Sequence, residues 1–375
     1  MGSEILLYGY GIVCLSMLVF NAVYNIIMKG SEFRLERRSR SFEEKILQQA
    51  ERLRGGRPMD EKHFSYLQRK LSHINNLLAF DQAMEKELEE ESGISLQRYW
   101  EKMEPVILHL AIVYQKRDNL QAAYFAYFLS RYKKRTRMVI DSVQEIIVGY
   151  MEKDSLYCRV NALQALYSFG SIDSIVKAIA IQDASGAFLH EKILTEGLLS
   201  YKGDHDRLIH RLWEEMERFS DRTKLSILNY IRFKTGDYCE EMLAIMTDES
   251  IDKELRFSAI RYFGRYPYEA ARQTLLDFAS DRNPENWEYA AISATALARY
   301  PGDDVIEVLT AAMHSSNWYI RYNAAESLEA HGLRYGDLID IVGGKDRYAR
   351  EMIMYRLETR RLEEERKRKE EAKEK

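Results

Sequence analysis

The sequence predicts an all-α protein: an α-solenoid of about six to seven helix pairs, preceded by a single N-terminal transmembrane helix. Three observations lead to this prediction. The 375 residues include only five prolines and few of the Val, Ile and Thr runs that are typical of strands. An uncharged stretch lies near the start of the chain, and a motif recurs about every 32 residues in the second half.

The uncharged stretch covers residues 5–28 and is predicted to cross a membrane. A helix of that length rises about 36 Å, which exceeds a hydrocarbon core of about 30 Å. A cleaved signal peptide is the alternative, but it would need a basic start, a shorter apolar core and a small-x-small cleavage site. Because the sequence starts with MGSE, we expect an uncleaved anchor over residues 1–29.

Basic residues directly follow the anchor, and those within 30–40 form a predicted basic juxtamembrane segment. Only Glu4 and the amino group precede the span, so the excess of positive charge predicts that the rest of the chain is cytoplasmic. The three cysteines form no paired motif, which is typical of a reducing compartment. The basic residues are Lys29, Arg34, Arg37, Arg38 and Arg40.

Polar residues interrupt the predicted anchor near its end. Asn21 lies within the span, and Tyr24 and Asn25 follow on the same helical side. An asparagine in hydrocarbon is unfavourable unless a neighbouring helix pairs with it, which predicts docking on another membrane helix. The alternative is that Tyr24 and Asn25 lie at the membrane surface and that Asn21 reaches toward it.

The repeated motif marks one helix of each predicted pair. Its reference position holds a small or apolar residue, and another apolar residue follows four positions later on the same helix face. Glycine or proline then ends the helix, and a second apolar-striped helix follows. The reference residues are Ala162, Thr195, Ile227, Ala259, Ser293 and Ala324.

The position three residues before the reference is basic in five of the six repeats, and the fifth repeat has Ala290 there. Seven residues before the reference, five of the six repeats carry a residue type that caps helix starts, and the second departs with Phe188. The basic residues are Arg159, Lys192, Lys224, Arg256 and Arg321.

The segments SLYCRVNALQALYSFG and NWYIRYNAAESLEAHG resemble HEAT repeats. They are most similar to the short armadillo-like units of phycobilisome-lyase-type proteins, D-x-x-x-x-V-R-x-x-A-x-x-A-L-G, and suggest a membrane-anchored bacterial member. The resemblance covers residues 154–342 and is specific for fold, not for activity. It implies that the basic residues form a structural ladder, in which each ties adjacent units together through loop carbonyls or acids.

The remaining segments receive coarser predictions. Residues 41–103 are expected to form a helical cap or linker, beginning with a capping box at Ser41 and Glu44. Residues 104–150 form an irregular first repeat, in which Ala123 and Tyr127 show the four-residue step. The repeat array proper covers 151–345. Residues 346–375 form a charged C-terminal helix or tail, either solvated or partner-binding.

No catalytic motif is present in the sequence, so no catalytic, metal or cofactor-binding residue is expected. The closest histidine group lies in the segment GDHDRLIH, and its two histidines are five residues apart, a spacing that suits two ligands on one helix face poorly. Its members are Asp204, His205, Asp206 and His210. Deoxyhypusine hydroxylase resembles this fold but carries several His-Glu pairs, whereas here only His190 is followed by glutamate. Bilin lyases resemble it as well, with no residue to carry over beyond the repeat.

Two groups of side chains are candidates for partner binding, besides the polar residues of the anchor. One is a basic run: Arg131, Lys133, Lys134, Arg135 and Arg137. It is either the end of a basic helix or a patch for anionic headgroups or an acidic partner. The other is aromatic: Trp318, Tyr319 and Tyr322. Tyrosines at core spacing, such as Tyr262, Tyr266 and Tyr300, are expected to pack with their hydroxyls reaching water.

The sequence therefore favours a non-enzymatic, membrane-anchored scaffold that binds a protein partner at the cytoplasmic face. An integral membrane protein, such as a glycosyltransferase or transporter of an envelope assembly, is an expected client; no small-molecule substrate is expected. The alternative is a HEAT-type lyase or isomerase acting on a chromophore or modified protein. Nucleic-acid binding through residues 133–137 is a third hypothesis, which the net charge of -4 disfavours.

Overall fold

A computed structural model describes residues 2–89, 98–132 and 141–371. These residues are mainly helical and include no strand, which confirms the prediction of an all-α solenoid. The chain divides into two compact units. Unit 1 comprises Met1–Ala187 with Ser200–Lys202, and unit 2 comprises Phe188–Leu199 with Gly203–Lys375.

The helices of unit 1 follow one another in pairs, each with a first and a second helix. The first helix of each pair packs on the first helix of a neighbouring pair, as α1 does on α3 and α5 on α7. The second helices pack in the same way, α2 on α4, α4 on α6 and α6 on α8. The helices are α1 Gly2–Arg54, α2 Glu61–Leu71, α3 Ile74–Glu89, α4 Glu104–Gln115, α5 Asn119–Tyr132, α6 Asp141–Gly149, α7 Leu156–Phe169 and α8 Ile172–Ala184.

The pairing extends into the segment predicted to be a cap or linker, because α1 packs on α3 and α2 packs on α4, as first and second helices do in later repeats. The predicted capping box at Ser41 and Glu44 is wrong, since both residues lie inside α1. Their segment has no glycine or proline to end the helix. The buried stripe of α1 instead runs through it at intervals of one, three or four residues, as Ser39, Phe42, Ile46, Gln49 and Ala50.

Unit 2 continues the alternation. Its first helices, α9, α11, α13, α15, α17 and α19, each pack on the next first helix. The helices are α9 Glu191–Leu199, α10 His205–Glu214, α11 Asp221–Lys234, α12 Cys239–Thr247, α13 Lys253–Phe263, α14 Glu269–Ser280, α15 Trp287–Ala296, α16 Asp303–Ala312, α17 Trp318–Ala330, α18 Ile339–Val342 and α19 Arg347–Glu371.

The start of α19 is a further first helix that the sequence motif did not reveal. Asp346 accepts hydrogen bonds from the backbone N–H groups of Tyr348 and Ala349, which caps the helix. Ile353 is fully buried and Leu357 nearly so, at the usual four-residue step. The predicted charged tail therefore opens with several turns that pack in the same register as the other repeats.

All six reference residues of the motif are buried. Small side chains at this position let neighbouring first helices approach closely enough for side chains to bond to backbone across the interface. Ser327 donates to the carbonyl oxygen of Ala294 at 2.7 Å, and Thr195 donates to that of Ser226 at 3.0 Å. In α5, Tyr127 is predicted to be a core residue four positions after Ala123. It is instead 42% exposed, and Phe125 is buried.

Two of the three tyrosines at core spacing, Tyr262 and Tyr300, are buried with their hydroxyls bonded to backbone, so these hydroxyls do not reach the surface as expected. The hydroxyl of Tyr262 accepts a hydrogen bond from the backbone N–H of Tyr238, and that of Tyr300 accepts one from Tyr268, both at 3.0 Å. Tyr238 and Tyr268 precede second helices of the preceding repeats. Burial raises the pKa of Tyr300 to about 12, so its hydroxyl stays neutral.

Candidate partner-binding surface

Arg321 of α17 bonds to the loop that leads into its own helix. One guanidinium nitrogen donates to the carbonyl oxygens of Ser315 and Ser316, at 2.6 and 3.1 Å. That loop connects α17 to the preceding pair, so the bonds fix one pair relative to the next. The guanidinium also lies over the ring of Tyr348, 5.4 Å from its centroid.

The same bond recurs at two other positions. Arg159 donates to the carbonyl oxygen six residues before it, at 2.9 Å, and also to the next one. Arg350 donates to the carbonyl oxygen of Gly344, again six residues before it, at 3.1 Å. Arg350 was missed in the sequence because the repeats were followed only as far as residue 342. We call Arg159, Arg321 and Arg350 the rung arginines.

The other predicted ladder residues are placed differently. The Nε of Arg256 donates to the carbonyl oxygen of Met246, at 3.1 Å, ten residues before it. Lys224 forms an ion pair with Glu217 across 3.6 Å. Lys192 departs from the ladder, because its exposed ammonium pairs with Glu196 of its own helix.

Aromatic rings form a continuous surface around the first turns of α15 and α17. Trp318 stacks on Tyr322 with 5.0 Å between ring centroids, and meets Tyr319 edge to face at 5.2 Å. Tyr319 in turn stacks on Trp287 at 5.4 Å. With Tyr348, held against the rung arginine Arg321, these rings form the aromatic patch: Trp287, Trp318, Tyr319, Tyr322 and Tyr348.

Caps and ion pairs hold these rings in place. Asn317 caps α17 by accepting from the backbone N–H of Tyr319 at 2.8 Å. Arg356 of α19 lies 5.6 Å from the centroid of the Tyr322 ring and forms a 2.7 Å ion pair with Glu329. A cleft of about 430 Å³, lined in part by Trp287, opens beside the patch.

The patch stays accessible although it is well supported. Trp318, Tyr319 and Tyr348 are exposed over 50%, 56% and 67% of their surfaces. Rigid tryptophan and tyrosine rings lose little conformational entropy on binding, and they dominate the centres of protein–protein interfaces. A stacked group of this kind next to a cleft suits a protein ligand.

The polar residues of the predicted anchor are exposed on α1. Asn21, Tyr24 and Asn25 lie in an apolar stretch of that helix, and Tyr24 stacks on Phe20. The helix is long and apolar enough to cross a membrane, and none of its most apolar window is buried inside the protein. This part of α1 therefore has no protein neighbour within the described residues that would shield its apolar surface.

The predicted basic run is only partly described. Arg131 forms ion pairs with Asp81 and Glu85 of α3, so its charge is used inside unit 1. It also lies over the ring of Tyr127. Lys133, Lys134, Arg135 and Arg137 lie outside the described residues.

The histidine group near α10 is dispersed among separate contacts. Asp204 caps α10 by accepting from the backbone N–H of Arg207. The ring of His205 is hydrogen-bonded to the hydroxyl of Tyr230, and His210 pairs with Glu214. Within the described residues, no group of three or more His, Cys, Asp or Glu side chains could hold a metal ion.

Sequence reasoning found three residues of the aromatic patch and missed two. Trp287 and Trp318 both lie six residues before a reference position, and Tyr319 and Tyr348 both lie five before one when Ile353 is counted as a reference. The repeat register could therefore have predicted that all four side chains lie near one another.

Comparison with known families adds one match, to the second half of the molecule. Residues 239–329 match the family described as HEAT repeats. That segment runs from the start of α12 almost to the end of α17 and includes the rung arginine Arg321 and most of the aromatic patch. HEAT repeats are typical of protein-interaction scaffolds. No curated protein matches the chain.

Proposed function

We propose that this protein is a membrane-anchored HEAT-repeat adaptor that binds a protein partner and is not an enzyme. The single observation that carries the proposal is the aromatic patch: stacked rings, supported by the rung arginine Arg321, on repeats that match the HEAT family. Such a surface supplies rigid apolar area for a partner and has no chemical group in a reactive setting.

The exposed apolar part of α1 supports the membrane half of the proposal. Exposed side chains such as Ile12, Leu18 and Ile26 would be in water unless a bilayer covered them. The basic residues after the span favour a cytoplasmic location for the repeats. Anchoring confines the repeats to the membrane surface, which raises their effective concentration toward a membrane-bound client.

The class of client follows from this arrangement. An integral membrane protein with a cytoplasmic segment could meet both the anchor and the repeats, and Asn21 and Asn25 supply polar contacts for a neighbouring helix. An enzyme of envelope synthesis, such as a glycosyltransferase, is the client that we propose to test first.

The decisive experiment is affinity purification from membranes in an uncharged detergent, followed by mass spectrometry. We expect the full-length protein to recover a stoichiometric membrane protein, and a chain starting at Ser31 to lose it if the anchor helix takes part in docking. That truncation leaves the buried stripe of α1, which begins at Ser39, intact.

A second pair of variants tests the patch itself. Trp318→Ala combined with Tyr319→Ala should abolish recovery of the partner, whereas Tyr157→Ala, which removes an aromatic ring that is 78% exposed in unit 1, should not. Equal recovery with all these chains would contradict the assignment of the patch. Failure to recover any stoichiometric partner would count against the adaptor function as a whole.

A further inference from the structure

Four arginines line one groove of unit 2: Arg232, Arg261, Arg265 and Arg299. The groove has a volume of about 470 Å³ and lies along the C-terminal ends of the first helices α11, α13 and α15. We call it the arginine groove. The aromatic patch lies at the opposite, N-terminal ends of first helices.

The repeat register places these arginines in a row. Arg265 and Arg299 each lie six residues after a reference position, and Phe233 takes the same place in the preceding repeat. Arg232 directly precedes Phe233 on α11. Stacking the repeats therefore brings together side chains that lie more than 60 residues apart in sequence, about twice the repeat period.

The positive charge of the groove is not balanced from within. No aspartate or glutamate is among the residues that line it. Arg261, Arg265 and Arg299 make no ion pair and no hydrogen bond within the described residues. Burial lowers the pKa of Arg232, and the nearby charges of Arg261 and Arg265 lower it further.

Basic residues at helix C-termini are common because they interact favourably with the helix dipole. That explanation covers a single arginine at each end. It does not explain why the first helices of three successive repeats direct arginines into one groove that no carboxylate lines. Like charges in such proximity repel, so the arrangement favours an anionic ligand that neutralises them.

The groove also has an apolar side. Phe233 is 42% exposed, and Ile292 and Ala296 line the groove with it. The guanidiniums of Arg232 and Arg265 lie over the Phe233 ring, at 4.8 and 5.5 Å from its centroid. A guanidinium stacked on a ring keeps its in-plane N–H groups available for a carboxylate, which it can bind in bidentate fashion.

We propose that the arginine groove binds an acidic protein segment in which carboxylates flank an apolar side chain. The inference rests on the proposed adaptor function, because the segment would belong to the partner. The volume suits a few side chains, since it lies within the range of roughly 300–1,000 Å³ that is typical of small-ligand sites. Nucleic acids need a basic track along many phosphates, and bilayers meet protruding basic surfaces, whereas these arginines frame a depression.

The test is fluorescence anisotropy with the full-length protein in an uncharged detergent. The probe is a labelled peptide of six glutamates around a central phenylalanine, and the matched peptide has glutamine in place of each glutamate. We expect saturable binding of the glutamate peptide only, weakening as salt rises. The double variant Arg261→Gln with Arg299→Gln should weaken binding by about tenfold or more, since hydrogen bonds to charged groups are lost.

The control is Arg207→Gln, which removes an exposed arginine from the second helix α10 and should change affinity less than about twofold. Circular dichroism verifies that each variant is folded. Equal weakening by the control and the double variant, or binding of the glutamine peptide as tight as that of the glutamate peptide, would overturn the proposal.

Two competitors decide the class of ligand. If a twelve-residue oligothymidylate or vesicles containing phosphatidylglycerol bind more tightly than the peptide through the same arginines, the acidic-segment assignment is wrong. The outcome is also separable from the adaptor function. If the double variant recovers a membrane partner as well as the unchanged protein does, the proposed role of the groove is wrong, whereas the proposed adaptor function is still supported.

Discussion

Arginines lie at the N-terminal ends of some first helices and at the C-terminal ends of others, and the two groups make different contacts. At the N-terminal ends, Arg159, Arg321 and Arg350 donate to carbonyl oxygens of the loops that join one pair to the next. At the C-terminal ends, Arg261 and Arg299 make no hydrogen bond or ion pair within the described residues. The same side chain thus serves as a structural tie at one end and as an unpartnered charge at the other.

The difference separates stability from binding. A guanidinium that satisfies loop carbonyls stabilises the fold, because its removal leaves buried or half-buried acceptors without a donor. A guanidinium with no partner contributes little to the free energy of folding and is available for a ligand. Mutation of an arginine at the N-terminal end should therefore lower stability, whereas mutation of one at the C-terminal end should weaken binding and leave stability nearly unchanged.

The largest effect is expected at a rung arginine. Arg321→Ala removes two hydrogen bonds to carbonyl oxygens and the contact with the Tyr348 ring, and should lower the free energy of unfolding by about 2–3 kcal/mol. Urea unfolding followed by tryptophan fluorescence measures it. Lys192→Ala, at the equivalent position but exposed, should change it by less than about 0.5 kcal/mol. Similar losses in both variants would show that the bonds of Arg321 to the loop carbonyls do not stabilise the fold.

A buried, uncharged histidine in unit 1 is expected to make stability depend on pH. His63 is 7% exposed and is hydrogen-bonded to the hydroxyl of Tyr99 at 2.9 Å. Burial, aided by the charge of Lys45, lowers the pKa of His63 from 6.5 to about 4. Because the folded pKa lies below the unfolded one, the neutral ring's contribution is complete above about pH 6.5 and is lost as the pH falls toward 4.

Between pH 7 and pH 5 this loss should be about 2 kcal/mol in the free energy of unfolding. The variant His63→Gln should lose much of that pH dependence, whereas His210→Gln, which changes an exposed ring, should keep it. Urea unfolding at the two pH values gives the comparison. If the two variants responded identically to pH, His63 would not be the group that titrates.

Tyrosine contacts between repeats should have a smaller effect. Tyr300→Phe leaves the backbone N–H of Tyr268 without its acceptor and should lower the free energy of unfolding by about 1–2 kcal/mol. Tyr266→Phe removes a half-buried hydroxyl for which no hydrogen bond is described, and should have almost no effect. Hydrogen exchange at Tyr268 gives a local measure, since its amide should exchange faster only in the first variant.

The smallest effect on stability is expected for Arg261 and Arg299 of the arginine groove, which have no hydrogen-bond or ion-pair partner within the described residues. Arg261→Gln and Arg299→Gln should change the free energy of unfolding by less than about 0.5 kcal/mol, and reduced repulsion should make any change favourable. Thermal unfolding of both variants tests this prediction. A loss as large as that for Arg321→Ala would mean that the groove arginines are structural as well.

The sequence was sufficient to predict the repeat fold, because core spacing and helix ends are local signals. It did not reveal that α1 and α3 belong to helix pairs, since their buried stripes lack the basic residue, three positions before the reference, that marks most later repeats. The start of α19 was hidden by its high charge. The arginine groove could not be found as a run, because its members come from three helices and meet only when the repeats stack.

The aromatic patch lies between these cases. Trp318, Tyr319 and Tyr322 were identified because they are close together in sequence, whereas Trp287 and Tyr348 needed the repeat register. Searches confined to neighbouring residues favour surfaces built on one helix. Surfaces built across a repeat array need positions to be compared one period apart.

The unbroken helix α1 has a geometric consequence for the proposed anchor. About ten residues, residues 29–38, separate the apolar stretch from Ser39, the first residue of the buried stripe, and all of them are helical. The apolar stretch and the part of α1 that packs in the first helix pair therefore share one axis and one helical phase. Inserting a single residue in this spacer would turn the pair by about 100° around that axis, and three or four would nearly restore its heading. If the proposed anchor crosses a bilayer, α1 therefore determines which side of the first pair faces a client in that bilayer.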